Sequence, residues 1–282
     1  MIKFGPSGNS DLFYAQGFKA SVEAPRWLKN RGLDAYEYSF SRGFAMSDIV
    51  AQTLGKECKE NGIEISVHAP YYINFASTDE KLIEKSFNYI LECLRYLRLL
   101  GGTRCIFHPG SCGKQPREEA FARLKENISK LVEKVKEAGY TEMKICPETM
   151  GKSLQLGTYE EIAQLCAIDE CLLPTIDFGH INALTQGGLK TEEDFERVIK
   201  CFIDNIGIER TRKMHVHFSK IEYGEKGEIK HLTLEDKTYG PEFENLAKII
   251  KKYDLEPVII SESKGCQAED ANILKEIYKN TI

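Results

Sequence analysis

Thr175-Ile176-Asp177-Phe178-Gly179-His180 follows Pro174 and has the pattern of a buried strand end with the loop that leaves it. The stretch places a carboxylate, Asp177, and an imidazole, His180, directly after apolar residues. Both side chains favour metal binding or acid–base chemistry over packing. A single Asp or His at a strand end is more commonly a helix cap or a solvated group. The functional interpretation therefore depends on whether other strands end in the same way.

Seven other short apolar segments with strand character alternate with helical segments along the 282 residues. The eight strands are predicted at residues 2–5, 34–40, 63–68, 104–108, 144–148, 172–177, 214–218 and 257–262. This alternation predicts a parallel sheet. Eight units, repeating at about 30–40 residues, predict an α/β protein of one domain, a closed (β/α)8 TIM barrel over residues 1–282. A doubly wound open sheet is the alternative.

The composition limits the classes of function. With 42% apolar and 29% charged residues, the chain is typical of a soluble protein with a packed core. A net charge of −5 disfavours nucleic-acid binding, unless bound cations change the charge locally. Nine cysteines without a CxxC pair indicate reduced thiols in a cytoplasmic protein. The opening residues lack a signal-peptide pattern and no apolar run approaches membrane-span length. We expect no membrane association and predict no protein partner.

The carboxyl ends of the predicted strands carry a set of imidazoles and carboxylates. In a barrel these ends meet at one face, where active sites form. Read in order, the set is His68, His108, Glu148, Asp177, His180, His215, His217 and Glu262, with His231 in a long polar loop over about residues 219–240. All six histidines lie at strand ends or in the following loops, and none lies on a predicted helix. Carboxylates that end apolar strands are costly to bury without a cation. Convergent His, Asp and Glu side chains are typical ligands of Zn²⁺ or Mn²⁺.

Two of these histidines, both on the seventh predicted strand, are candidates for the same ligand position. His215 and His217 are two residues apart on a strand, so their side chains face the same side of it. His217 is a metal ligand, a residue that holds a metal ligand in place, or a residue that only packs in the barrel interior. The spacing alone leaves these three roles open.

The same residues carry a family resemblance. His68-Ala69-Pro70-Tyr71-Tyr72-Ile73-Asn74 resembles the His-x-x-Tyr-x-Ile-Asn signature of the endonuclease IV family. Further matches follow in order along nearly the whole chain: Phe107-His108-Pro109-Gly110-Ser111, Pro147-Glu148-Thr149, Ile176-Asp177-Phe178-Gly179-His180, His215 with Ser219-Lys220, and Ser261-Glu262. Those enzymes are apurinic/apyrimidinic endonucleases on a barrel of the xylose isomerase type. The resemblance thus implies a deoxyribonuclease of base-excision repair that binds duplex DNA with abasic sites and cuts 5′ to them.

The resemblance also implies two to three metal ions, usually zinc, with manganese as an alternative. By position, His68 and His108 would hold one ion with Glu148. Glu148 would bridge to a second ion, whose other ligands would be Asp177, His215 and Glu262. His180 and His231 would hold the third ion. A hydroxide activated by the metals would attack the phosphate, and Glu148 or Glu262 would accept a proton.

The chain departs from the family pattern in two places. At the last histidine, the pattern of the family that this chain resembles is Asp-x-His. This chain has Glu228-Ile229-Lys230-His231 instead. Either Glu228 substitutes from a shifted register, or the third metal site is weaker or lost. Phe218 also stands where the family commonly has a polar residue.

Candidates for DNA contact lie in the loops near the predicted site. Tyr71 and Tyr72, just beyond His68, and Arg42, after the second strand, are the residues expected to enter a bent duplex. Loop packing is the alternative for the two tyrosines.

The main functional alternative is a sugar isomerase or epimerase with a single metal ion, for which Glu148, Asp177, His215 and Glu262 would suffice. The acidic composition and Ile229 favour that alternative. A surplus of histidines favours a multi-metal phosphodiesterase: His68, His108, His180 and His231.

Overall fold

A computed structural model describes residues 1–41 and 43–282. Eight parallel strands form its inner wall: β1 Lys3–Pro6, β2 Ala35–Ser39, β3 Glu64–His68, β4 Arg104–Phe107, β5 Lys144–Pro147, β6 Thr175–Asp177, β7 His215–Phe218 and β8 Val258–Ser261. Continuous hydrogen-bonded pairing joins β2-β3-β4-β5 and, separately, β1-β8-β7-β6. The predicted strands, and the parallel sheet that they form, are confirmed.

Two seams close the sheet into a barrel. Between β1 and β2, Ser7 pairs with Glu37, and the strands approach so closely that a Cβ on Gly5 would lie 1.8 Å from the carbonyl oxygen of Ala35. Between β5 and β6, Glu148 pairs with Thr175. The second half of the chain therefore meets the first at both edges, which confirms the (β/α)8 TIM barrel.

Helices cover the outside of the barrel: α1 Asp11–Ala15, α2 Ala24–Asn30, α3 Asp48–Asn61, α4 Glu80–Leu100, α5 Arg117–Glu137, α6 Tyr159–Cys166, α7 Phe178–Leu184, α8 Glu192–Ile206, α9 Ile208–Arg212, α10 Phe243–Lys252 and α11 Gln267–Asn280. The long helices are amphipathic, and α4 buries Phe87, Ile90, Leu94 and Leu97 against the wall at helical spacing. Within the described ranges, no helix has both the length and the apolar character that a membrane crossing needs.

Two short antiparallel pairs lie beyond the strand ends. Gly110–Ser111 pairs with Gln155–Leu156, and Lys220–Gly224 pairs with Gly227–Leu232 as a hairpin. The hairpin occupies the segment that was predicted to be a long polar loop, so that prediction was wrong for residues 220–232. Its return strand is anchored at Gly151, whose carbonyl accepts the amide of Glu228 at 2.9 Å. This anchor holds the hairpin beside the loop that follows β5.

Candidate metal centre

Glu148 lies at the centre of the carboxyl-terminal face of the barrel, directly after β5, and is fully buried. Its Oε2 atom lies 3.1 Å from Nε2 of both His68 and His108. Its Oε1 atom lies 3.0 Å from Nδ1 of His217 and 3.4 Å from Nδ1 of His180. Four imidazoles from four barrel segments thus surround one carboxylate.

Glu148 and the side chains around it form three adjoining groups of possible metal ligands. Within each group, the ligand atoms lie within 4.8 Å of one another. The groups are His68, His108 and Glu148; Glu148, Asp177, His217 and Glu262; and His180, Glu228 and His231. Each group offers three or four nitrogen and oxygen ligands, which is the number and type that Zn²⁺ takes in proteins. Glu148 belongs to the first two groups, so one carboxylate connects them.

Asp177 and His180 are placed together by a helix start. Asp177 ends β6 and caps α7, where its Oδ1 accepts the amide of His180 at 2.8 Å. His180 therefore lies on the first turn of a helix. The expectation that every histidine lies outside helices was wrong for this residue, because the cap begins the helix without an intervening loop. The other carboxylate oxygen, Oδ2 of Asp177, is buried and has no hydrogen bond within residues 1–41 and 43–282, as expected of an atom that meets a cation.

In His68 and His180, the ring nitrogen Nδ1 is held by a backbone carbonyl, which is a neutral acceptor. Nδ1 of His68 lies 2.9 Å from the carbonyl of Ala69, and Nδ1 of His180 lies 2.9 Å from the carbonyl of Thr149. A carbonyl only accepts, so each Nδ1 carries a proton, and loss of the proton from Nε2 would leave a lone pair there for a cation. Histidines that bind metals are generally held in this way. The donor set and its orientation therefore fit bound cations.

Charge at the centre is balanced by protons in the metal-free chain. Burial opposes protonation of His68, but the hydrogen bond and charge of Glu148 outweigh it and raise the pKa of His68 to about 9. Burial would raise the pKa of Glu148, yet the charges of His217 and His108 hold it well below its usual range. Burial, together with the nearby carboxylates of Glu262 and Glu148, raises the pKa of Asp177. A divalent cation would take over the role of these protons.

His215 lies outside these three groups and belongs to a fourth group of possible ligands with Glu37 and His217, so its role as a ligand of the second ion stays a prediction. Its Nε2 atom lies 3.0 Å from Oε2 of Glu37, inside the barrel. His215 and His217 face the same side, but the later residue is about 7 Å further along the strand. Of the two, it is His217 that contacts Glu148 and Glu262.

Glu37 is a residue of the site that the sequence interpretation missed. It lies on β2, is fully buried and contacts both histidines of β7. A carboxylate in the middle of the strand Ala35-Tyr36-Glu37-Tyr38-Ser39 is a detectable signal, because burying it without a partner is costly.

Glu228 reaches the third group because of a bulge in the hairpin. Glu222 pairs with Lys230 but Tyr223 pairs with Glu228, so Ile229 is an extra residue in the return strand. Residues three apart in a regular strand face opposite sides, and one extra residue restores them to the same side. Ile229 is 58% exposed, while Glu228 Oε2 lies 3.5 Å from His180 Nε2.

A cavity of about 240 Å³ opens over the three groups. Besides ligand residues, its lining includes Ser7, Ser39, Ser41, Tyr71, Met150, Lys152 and Gln155. Tyr71 and Tyr72 are half-exposed, with ring centroids 4.7 Å apart. Arg42, the third expected DNA contact, lies outside the described residues. Grooves of about 710 and 770 Å³ occur elsewhere on the surface, and no histidine is among their described lining residues.

The family model described as the xylose isomerase-like TIM barrel matches residues 25–277.

The chain belongs to the xylose isomerase-like TIM barrel family. Its relatives in this family include an uncharacterized protein of Methanocaldococcus jannaschii, 33% identical over 253 residues that cover 89% of each chain. They also include a probable endonuclease 4 of Staphylococcus carnosus, 29% identical over 227 residues that cover 75% of this chain and 74% of that protein. The family match and the endonuclease 4 relative confirm the resemblance to the endonuclease IV family.

Solved structures of other proteins show the same fold. Endonuclease IV from Thermus thermophilus superposes with a TM-score of 0.71 at 20% identity, covering 98% of this chain and 97% of that one. A D-tagatose 3-epimerase-like protein superposes with a TM-score of 0.72 at 24% identity, covering 99% and 97%. The fold is therefore common to proteins named for both activities, and the choice between them depends on the site.

Proposed function

We propose that this protein is a metal-dependent phosphodiesterase that cuts duplex DNA 5′ to abasic sites. The observation that carries the proposal is the set of three adjoining ligand groups, two of which share Glu148. An isomerase with one metal ion needs only the group of Glu148, Asp177, His217 and Glu262. The histidines of the other two groups would then have no chemical role. The names of the endonuclease 4 relatives support the same reaction class.

The three groups would hold two to three zinc or manganese ions. His68, His108 and Glu148 would bind one, and Glu148 with Asp177, His217 and Glu262 a second. His180, Glu228 and His231 would bind the third. Such ions supply Lewis-acid stabilisation of charge on a phosphoryl group and lower the pKa of water.

Glu262 is the carboxylate best placed to accept a proton. Its side chain is 17% exposed, whereas that of Glu148 is 1% exposed, so it faces the cavity rather than the barrel interior. Its Oε2 lies 3.6 Å from Nδ1 of His217 and 3.9 Å from Nδ1 of His231. The two imidazoles orient the carboxylate, and its exposed edge can receive a proton from the attacking water.

The mouth of the cavity can admit one nucleotide that is flipped out of a DNA strand. Lys152 lines the cavity and is half-exposed, with Nζ 3.8 Å from Oε2 of Glu228. The ammonium group of Lys152 can form an ion pair with a phosphate. The rings of Tyr71 and Tyr72 can stack on bases beside the lesion. A volume of about 240 Å³ accepts a flipped abasic sugar and its phosphate, and excludes a stacked duplex.

The second candidate is a sugar isomerase or epimerase, and the same cavity favours it on size. A volume of about 240 Å³ also suits a single monosaccharide. In that case one ion in the group of Glu148, Asp177, His217 and Glu262 would be sufficient.

One experiment separates the two candidates. The purified protein is loaded with Zn²⁺ or Mn²⁺ and incubated with a labelled duplex that contains one tetrahydrofuran abasic analogue, and in parallel with a panel of ketoses. We expect a nick 5′ to the analogue that EDTA abolishes, no cut in the matched intact duplex, and no sugar conversion. Sugar conversion without nicking would identify the second candidate, and a single bound ion per chain would agree with it.

A further inference from the structure

Glu37 lies deeper in the barrel than the metal-ligand groups, on β2, and is fully buried. Oε2 accepts the hydroxyl of Ser66 at 2.9 Å and lies 3.0 Å from Nε2 of His215. Oε1 lies 3.0 Å from Nε2 of His217. One buried carboxylate therefore faces both histidines of β7, and only one of them reaches the metal-ligand groups.

We propose that Glu37 positions His217 as a metal ligand, by holding the proton of that ring on Nε2. Both ring nitrogens of His217 face carboxylates, which can only accept hydrogen bonds: Nε2 faces Glu37, and Nδ1 lies 3.0 Å from Oε1 of Glu148 and 3.6 Å from Oε2 of Glu262. A cation bound on the side of Glu148 and Glu262 would displace the proton from Nδ1, and the one proton left on the ring would then lie on Nε2, where Glu37 accepts it. The inference concerns the second metal ion and rests on the proposed metal-dependent function.

The partner of His217 differs in kind from those of the other ligand histidines. His68 and His180 donate to backbone carbonyls, whereas His217 faces a charged carboxylate. A carboxylate partner makes the imidazole a more basic ligand and fixes its ring orientation. Nε2 of His217 and Oε1 of Glu37 are buried and lie 3.0 Å apart, and neither has a hydrogen-bond partner among the residues that the structure describes. These two atoms can therefore form a hydrogen bond with each other after a small rotation of the ring.

His215 and Ser66 acquire a role from this arrangement. Both engage Oε2 of Glu37, which leaves Oε1 for His217. The carboxylate of Glu37 can only accept, so Nε2 of His215 donates to it. His215 thus holds Glu37 in place, which accounts for a buried histidine outside the three groups.

The same atoms allow a different arrangement, in which Glu37, His215 and His217 bind a cation of their own, since their ligand atoms lie within 4.8 Å of one another. The Ser66 hydroxyl already occupies Oε2, which favours the positioning role. The two arrangements differ in the role of His215, which would be a ligand only in the second.

The first test measures zinc affinity in the absence of DNA. Wild type, E37Q, H215A and the control E64Q are loaded with Zn²⁺ and titrated with a chelator, with bound zinc counted by mass spectrometry. Glu64 is a suitable control because its carboxylate also lies on a barrel strand but pairs with Lys3 and Arg104. We expect E37Q to release one ion at about 10- to 100-fold lower chelator concentration. H215A should keep the wild-type ion count and show a smaller shift in release, since it removes only the support of Glu37, and E64Q should release zinc as the wild type does. Unchanged release from E37Q, or the loss of one whole ion from both E37Q and H215A, would overturn the proposal.

The second test needs no variant, which matters if E37Q does not fold. In the zinc-loaded wild type labelled with ¹⁵N at histidine, the two ring nitrogens of each imidazole have distinct shifts. We expect His217 to carry a proton on Nε2 and the metal on Nδ1, with the Nε2 proton shifted downfield by the carboxylate. A metal on Nε2, or no metal on His217, would contradict the proposal. Neither test uses nuclease activity, so a failure of the abasic-site assay leaves both results interpretable.

Discussion

Nε2 of His180 lies 3.5 Å from Oε2 of Glu228, although Glu228 stands three residues before His231 rather than two. The hairpin bulge at Ile229 makes this contact geometrically available. Of the two alternatives left open by the sequence, the geometry favours substitution of the missing aspartate by Glu228 in a shifted register. We therefore expect the third group to bind a cation.

The contribution of Glu228 can be measured directly. We expect E228Q to bind one ion fewer than the wild type, because the amide removes the charge that faces His180 and His231. Native mass spectrometry of zinc-loaded protein gives the count. E222Q is the matched control, since Glu222 lies on the same hairpin but pairs with Lys230. An equal count in both variants would mean that the third group does not depend on Glu228.

A larger effect is expected at Glu148. E148Q removes the charge that two of the ligand groups share, so metal content should fall and abasic-site cleavage should drop by at least about 100-fold. Circular dichroism should remain that of the wild type, because the amide has nearly the same shape. E142Q, which alters an exposed carboxylate shortly before β5, should cut normally. Normal cleavage by E148Q would show that the site is misassigned.

Zinc should stabilise the protein more at high pH than at low pH. In the metal-free folded chain the pKa of His68 is raised from 6.5 to about 9. Its contribution to stability is therefore complete below pH 6.5 and is lost as the pH rises towards 9. Zinc needs the deprotonated ring, so the rise in Tm on adding zinc should grow over this interval.

Calorimetry with zinc or EDTA at the two ends of the interval tests this expectation. H68Q should show a weaker dependence on pH, since it removes the titrating ring. A zinc-induced shift in Tm that stays constant, or falls, with rising pH would contradict the assignment of His68 as a ligand.

Tyr71 and Tyr72 test the proposed substrate. We expect Y71A and Y72A each to weaken binding of an abasic duplex by roughly tenfold, the contribution of about one stacked base, without a change in zinc content. I273A is the control, because Ile273 is a similarly exposed apolar residue on α11. If the tyrosine variants bind as tightly as I273A, the two rings serve loop packing rather than DNA contact.

The seam between β1 and β2 should be intolerant of any side chain at Gly5. In G5A the added carbon would lie 1.8 Å from the backbone of Ala35, which cannot move without opening the barrel. We expect a loss of about 3 kcal/mol or more in the free energy of unfolding, measured by urea titration. K19A, at an exposed position, should leave the urea midpoint unchanged. A small effect of G5A would show that the seam is looser than described.

The barrel and most of the centre could be predicted because strand ends are marked locally. Short apolar runs that stop at His68, His108 and Glu148 indicate both the strand and the face at which it ends. The choice between His215 and His217 could not be made in this way. It depends on how far β7 extends beside its neighbours, and that is a property of the sheet rather than of one strand.

Two further features depend on partners distant in sequence. Glu37 matters because β2 and β7 face each other across the barrel, although Glu37 and His215 are 178 positions apart in the sequence. The hairpin at residues 220–232 forms against Gly151, so its polar sequence alone indicates a loop. In both cases the missing information is a contact between segments, which no local pattern contains.

The shared carboxylate of Glu148 has a consequence for how the protein acquires its metals. An ion bound by His68, His108 and Glu148 would restrict the rotamer of Glu148 and so favour binding of an ion in the neighbouring group. Loss of that ion would remove this restriction. The two sites should therefore bind cooperatively, and a chain that has lost one of these two ions should hold the other less tightly than a fully loaded chain does.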